Sequence, residues 1–203
     1  MAGRRTVVGI DLAGSPKRDT GICHMRGRTI IRYATLHDDD EIMAFVRAAG
    51  PDLVVIDAPL HLPPGRRSLD DRNGEHFRPV DRELHRRGIK FFPITLGPMR
   101  MLTERGLRLT RRLRRLGYPA VEMYPGGAQD VWGIRRKQYG LPALRRGLVR
   151  LGIGGMGRDM NGDELDAVTG GYVGVLYLQG KAEMLGDEKT GAILLPRKPK
   201  VTR

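Results

Sequence analysis

The sequence predicts an α/β domain, and three features predict it. Two continuous apolar runs, RTVVGIDL (5–12) and DLVVIDAPL (52–60), read as strands buried on both faces, which places them side by side in a mostly parallel sheet. Segments 38–49 and 98–116 carry apolar residues at helical spacing, as helices that cover such a sheet must. The 203 residues are 40% hydrophobic, enough for one compact unit that buries roughly 70% of its unfolded surface.

Taken in order, the first apolar run ends in Asp11 and turns at Ala13-Gly14-Ser15-Pro16. TGICHMRG and RTIIRYA follow as two strands joined near Gly27, a hairpin. Segment 38–49 opens with DDDE, acids suited to the positive end of a helix dipole, and stops before Pro51. The second apolar run delivers Asp57. Residues 61–80 are rich in Pro, Gly and charge, and with the short helix 80–89 they form an irregular insertion near 61–92. The helix 98–116 places Leu102, Leu109, Leu113 and Leu116 along one side and arginines around the rest. YPAVEMYP (118–125) is a third strand, and 135–151 reads as another basic helix after Pro142. Gly152, Gly154 and Gly157 spell G-x-G-x-x-G but follow a helix rather than a strand, so they read as a hinge and not a dinucleotide fingerprint. MNGDELDAVTGGYVGVLYLQG is the last long helix; the last stretch, with Gly186 and Gly191 ahead of AILLP, is a short strand or hairpin before a basic tail, 197–203. The whole of 1–203 reads as a single domain without internal repeats.

The charge is +13, and arginine outnumbers lysine 29 to 7. A guanidinium fork suits phosphate better than an ammonium does, so a polyanion, DNA or RNA, is the natural partner. The same composition also arises from base composition or a hot habitat. A single cysteine, Cys23, excludes an intrachain disulfide framework and a cysteine-based zinc site. No apolar run reaches the roughly 18 residues of a membrane span, and Asp11 interrupts the N-terminal run before signal-peptide length. These features point to a cytoplasmic chain with no membrane partner.

Four carboxylates carry the chemistry. Asp11 and Asp57 stand at strand ends, while Asp163 and Asp166, three apart, share a face in the first turns of the last helix. Asn161 is placed to cap that helix with Glu164 at the third position. Clustered carboxylates repel, so they call for a cation, and oxygen-only ligands suit Mg²⁺ or Mn²⁺. Two such ions about 4 Å apart can activate water and stabilise a leaving oxygen in phosphodiester cleavage.

The order of strand, hairpin, helix, strand and late acidic helix resembles the RNase H-like fold, and D-x-x-D is similar to the pair in RuvC-type junction resolvases. GIDLAGS, IDAPL, DRELHRRGI, VEMYPGGA and DELDAVTGGYVG together resemble the domain-of-unknown-function 429 family, described as predicted RNase H-fold nucleases. The resemblance covers about residues 5–196. It implies a mixed five-stranded sheet flanked by helices and a divalent-metal nuclease site, with Asp11 bridging two Mg²⁺ or Mn²⁺ ions, Asp57 binding one, and Asp163 and Asp166 completing the shell. Asp57 departs from those nucleases, which more often carry Glu there. Junction resolvases also suggest a homodimer, which no residue here demands.

Further candidates surround that set. Glu122, Tyr124 and His61 follow strand ends and are candidates for an outer shell, His61 as a proton shuttle. Arg82 and Arg86 could clamp a phosphate. Arg105, Arg108, Arg111, Arg112 and Arg115, with Arg114, put six arginines into eleven residues, a backbone-binding surface. The rival readings are a non-catalytic nucleic-acid-binding module of the same fold and a phosphate-handling ATPase relative.

Overall fold

The computed structural model describes residues 5–72, 75–187 and 189–197. Seven strands form one sheet: β1 (Thr6–Asp11), β2 (Thr20–Arg26), β3 (Thr29–Leu36), β4 (Leu53–Asp57), β5 (Ala120–Met123), β6 (Ala182–Asp187) and β7 (Gly191–Pro196), in the order β3-β2-β1-β4-β5-β7-β6. β1, β4, β5 and β7 run parallel, while β2 pairs antiparallel with β1 and β3, and β6 with β7. The first five strands are the mixed sheet that the resemblance implies. The predicted terminal strand or hairpin is a true hairpin that joins the sheet edge and raises the count from five to seven.

Helices cover both faces. On one, Val8, Ile10, Val54 and Ile56 pack against α1 (Asp39–Ala49) and α3 (Gly97–Arg115), with α2 (Pro79–Arg86) lying over β6 and β7. On the other, Val7, Cys23, Met25 and Val55 pack against α4 (Pro125–Trp132), α5 (Leu141–Arg150) and α6 (Gly162–Leu178). Alternate residues of β1 and β4 therefore feed opposite cores, which is why both runs read as continuously apolar. Asp38 caps α1 in a capping box with Glu41, and Asn161 caps α6 with Glu164.

Two sequence expectations are corrected. The third strand is shorter than 118–125, Ala120–Met123, and α4, which the sequence reading did not assign, starts at once with Pro125 at its first position. The glycine-rich stretch is not a free hinge either, because Gly154 accepts from Ile30 and donates to the Arg28 carbonyl, pinning the loop to β3. Of the tail 197–203, all but Arg197 lies outside the described residues.

Candidate active site

Parallel pairing puts Asp11 directly opposite Asp57 at the C-terminal edge of β1 and β4. By alternation, both share the face of Val7 and Val55, the face covered by α6. α6 reaches that edge because glycines let it come close. A Cβ at Gly9 would overlap the Ala167 carbonyl and the Gly171 backbone, and one at Gly21 would overlap the Asp163 backbone. The first turns of α6 thereby bring Asp163 and Asp166 to the strand-end acids.

A lysine that the sequence reading had passed over sits among them. Lys137 Nζ lies 2.8 Å from Asp11 Oδ2, 2.6 Å from Asp163 Oδ1 and 3.0 Å from Asp166 Oδ2. Asp166 is further fixed by Gln129 of α4, whose Nε2 donates to Oδ1 at 2.6 Å and also meets Thr169. Burial pushes the Asp11 carboxyl up to about 7, against the opposing pull of Lys137 and with help from the charges of Asp166 and Asp163. Burial, then the charge of Asp11, holds Asp57 well above the carboxylate range, and burial raises Asp166 as well. Burial alone would lower Lys137; the charges of Asp11 and Asp166 outweigh it and hold the ammonium above its ordinary value.

An open cleft leads to this cluster, lined by Asp11, Gly14, Arg18, Met99, Lys137 and Asp163. Arg18, exposed in the loop after β1, is the basic side chain at its mouth that the sequence analysis did not single out.

The outer candidates lie around the cluster with partners of their own. Glu122 is buried in an ion-paired group of its own: Arg78 donates to both its oxygens at 2.6 and 2.8 Å and also binds Asp81, while Leu60 N–H donates to Glu122 at 2.8 Å. Tyr124 donates to the Lys90 carbonyl and accepts from Arg136. His61 lines a separate recess with Arg114, Glu122 and Ala192. Glu122 and Tyr124 border a recess with Asp57, and the charge of Glu122 helps to raise that carboxyl, so they stand next to the acids while their own hydrogen bonds go to other partners.

The arginine surface is corrected too. Arg105 is 1% exposed and binds Asp39 and the carbonyls of Ala13 and His37, so it ties α3 to α1 and to the loop after β1 instead of facing a ligand. Arg108 and Arg112 pair with Asp39 and Asp40. Arg111 and Arg115 are exposed, but α3 runs away from the acids, and Arg114 beside them reaches the Ala120 carbonyl at the opposite edge of the sheet. Arg82 and Arg86 are exposed and paired with Glu75 and Glu83.

The donor set is chemically suited to a hard divalent cation, since it offers only carboxylate oxygens and already surrounds one cationic group. As it stands, the set is gathered around Lys137, and among the described residues no three His, Cys, Asp or Glu side chains are posed together around a metal position.

Mixed sheet, strand-end acids and acidic helix start define an RNase H-like domain. The chain belongs to the family described as Protein of unknown function (DUF429), whose model matches residues 9–190. Among solved structures, it is similar to Thermus thermophilus RuvC in complex with a Holliday junction substrate, at 10% identity and a TM-score of 0.49 over 93% of this chain and 99% of that one. It is also similar to a second Thermus thermophilus RuvC structure, at 11% identity and a TM-score of 0.47 over 86% and 96%. No curated protein matches the chain.

Proposed function

We propose that this protein is a divalent-metal-dependent nuclease that hydrolyses phosphodiester bonds in nucleic acid. The observation that carries the reading is the convergence of Asp11, Asp163 and Asp166 on one cationic position beside Asp57, at the floor of an open cleft. Asp11, Asp57 and Asp166, on three different elements, have carboxyls raised by burial and then by neighbouring negative charge, a costly arrangement for stability that fits a functional site.

Asp11, Asp57, Asp163 and Asp166 would hold Mg²⁺ or Mn²⁺, which supplies water activation and neutralises charge on the leaving oxygen. The chain's own residues do the rest. Gln129 locks the Asp166 carboxylate so that one oxygen stays aimed at the centre. The cleft admits the backbone, and Arg18 at its mouth offers a guanidinium to an incoming phosphate. Lys137 adds positive charge where the scissile group would develop negative charge.

The test is a cleavage screen of labelled single-stranded, duplex and branched DNA and RNA with Mg²⁺ or Mn²⁺. Wild type is expected to cut at least one class, and Asp11→Asn to bind it without cutting. Equal cleavage by the variant, or binding without cleavage by wild type under both ions, would overturn the reading; the second outcome would leave a non-catalytic binding module.

A further inference from the structure

We infer that Lys137 is an exchangeable internal cation, which holds the acid cluster together when no metal is bound and must leave it when a divalent ion enters. The inference rests on the metal-dependent reading above and adds a competitor to it. Nζ lies 2.6–3.0 Å from one oxygen each of Asp11, Asp163 and Asp166. An ammonium has three N–H groups and no more, so these contacts account for all of them. Mg²⁺ takes such oxygens at about 2.0–2.1 Å, and both cations cannot use the same three at once.

The lysine is placed where it can move. It begins a single 3-10 turn, Lys137–Tyr139, in the connection between α4 and α5, outside the sheet and the long helices. Its side chain is 36% exposed, as open as Asp163 and far more so than Asp11 or Asp166. The stem crosses the start of α6 over Gly162, where a Cβ would come within 3.1 Å of Lys137 Cδ; glycine leaves the stem a free path. Rotation about the side-chain torsions alone would withdraw Nζ into the cleft that Arg18 also lines, leaving two cations where a phosphate would arrive. The exchange thus couples ion entry to the appearance of phosphate-binding charge.

Calorimetric titration with Mn²⁺ tests this on the full chain, comparing wild type, Lys137→Gln and Asp11→Asn. If the competent state is only a small fraction of the metal-free protein, removing the competitor tightens apparent binding by the inverse of that fraction, here about tenfold or more. Asp11→Asn should lose binding. A second readout needs no substitution: acetylation of Lys137 by an amine-reactive reagent, followed by peptide mass mapping, should rise several-fold at saturating Mn²⁺. Mn²⁺ binding that is equal or weaker in Lys137→Gln, or labelling that Mn²⁺ leaves unchanged, would overturn the exchange while the metal site stands. Absence of Mn²⁺ binding in both wild type and Lys137→Gln would instead remove the metal reading and the exchange with it. Should Lys137→Gln fail to fold, the labelling of wild type decides.

Discussion

Asp11 shows at the scale of one residue what the site costs. Its carboxyl titrates near 7 in the fold against 3.8 as the ordinary value, so the folded protein binds a proton more tightly than the unfolded chain. The stabilisation from that proton is complete below about pH 3.8 and is lost as pH rises through about 7, at up to about 1.4 kcal/mol per pH unit. Asp57 and Asp166 are raised too and act in the same direction. Metal-free protein in chelator should therefore melt at a lower temperature at pH 8 than at pH 5, and Asp11→Asn, which cannot ionise, should show a smaller drop. Parallel melting curves for the two proteins across that range would contradict the assignment. The four acids were legible in the sequence because each stood at the end of an apolar strand or in the first two turns of a helix, positions that patterning identifies. Lys137 was not legible: it lies beside Arg135 and Arg136 in a stretch, 135–151, that read as one basic helix, whereas the chain makes a 3-10 turn at Lys137–Tyr139 before α5 begins at Leu141, and only tertiary structure distinguishes the basic residue that turns inward. Arg105 is the converse, counted among surface arginines because spacing alone does not say which guanidinium is buried under the helix.

Elements hold the site through two devices, one charged and one steric. Arg78 joins Asp81 of α2 to Glu122 of β5, all three nearly fully buried, and so staples the insertion to the sheet. Removing one partner of such a group typically costs 3–5 kcal/mol, because it leaves unpaired buried charge, so Arg78→Met should destabilise the protein by about that much in urea denaturation. Pairing it with Glu122→Gln should recover part of the loss; no recovery would place the cost in packing and not in charge. The steric device is the approach of α6. Gly21→Ala forces a methyl against the Asp163 backbone, so it should destabilise by about 1–3 kcal/mol as an overpacked contact and displace Asp163 from its partners. A variant of wild-type stability that binds Mn²⁺ normally would show that the helix can retreat without harm. At this scale most of the fold was readable: the strands, α1, α3 and α6 follow from apolar period and capping residues. α4 was missed because Tyr-Pro-Gly-Gly has the composition of a turn, whereas here the glycines let the helix pack tightly, a Cβ at Gly127 falling 3.0 Å from Tyr124 and 3.3 Å from Ile89 and Leu195. The extra β6–β7 edge was visible as a hairpin, but its place beside β5 depends on long-range pairing that no local pattern encodes.

For the whole molecule, the separation between charge and chemistry makes a prediction about substrate length. Leu102 of α3 lies at the acid-lined cleft, and Arg115 is thirteen residues further along the same helix, about 20 Å away at 1.5 Å per residue. Arg111, Arg114 and Arg115 are exposed at that far end, Arg114 with one hydrogen bond to the Ala120 carbonyl, whereas Arg105, Arg108 and Arg112 are paired with α1 and the loop after β1. A nucleic-acid backbone engaged at the cleft must then extend about six units of 3.4 Å before it meets them. The double variant Arg111→Ala, Arg115→Ala should bind a 20-unit duplex more weakly and with a salt slope shallower by about 2, one counterion for each lost phosphate contact. It should bind a five-unit fragment as wild type does, because such a fragment cannot span from the acids to the far edge. Arg18→Ala, by contrast, should weaken both lengths, since its guanidinium stands at the cleft itself. Fluorescence anisotropy over a salt series separates the cases. Equal losses on long and short ligands for the double variant would mean that the backbone does not run along α3, and an unchanged salt slope on the long duplex would leave the arginine-rich end of that helix as a solvated face, with the net charge of +13 acting through other parts of the surface.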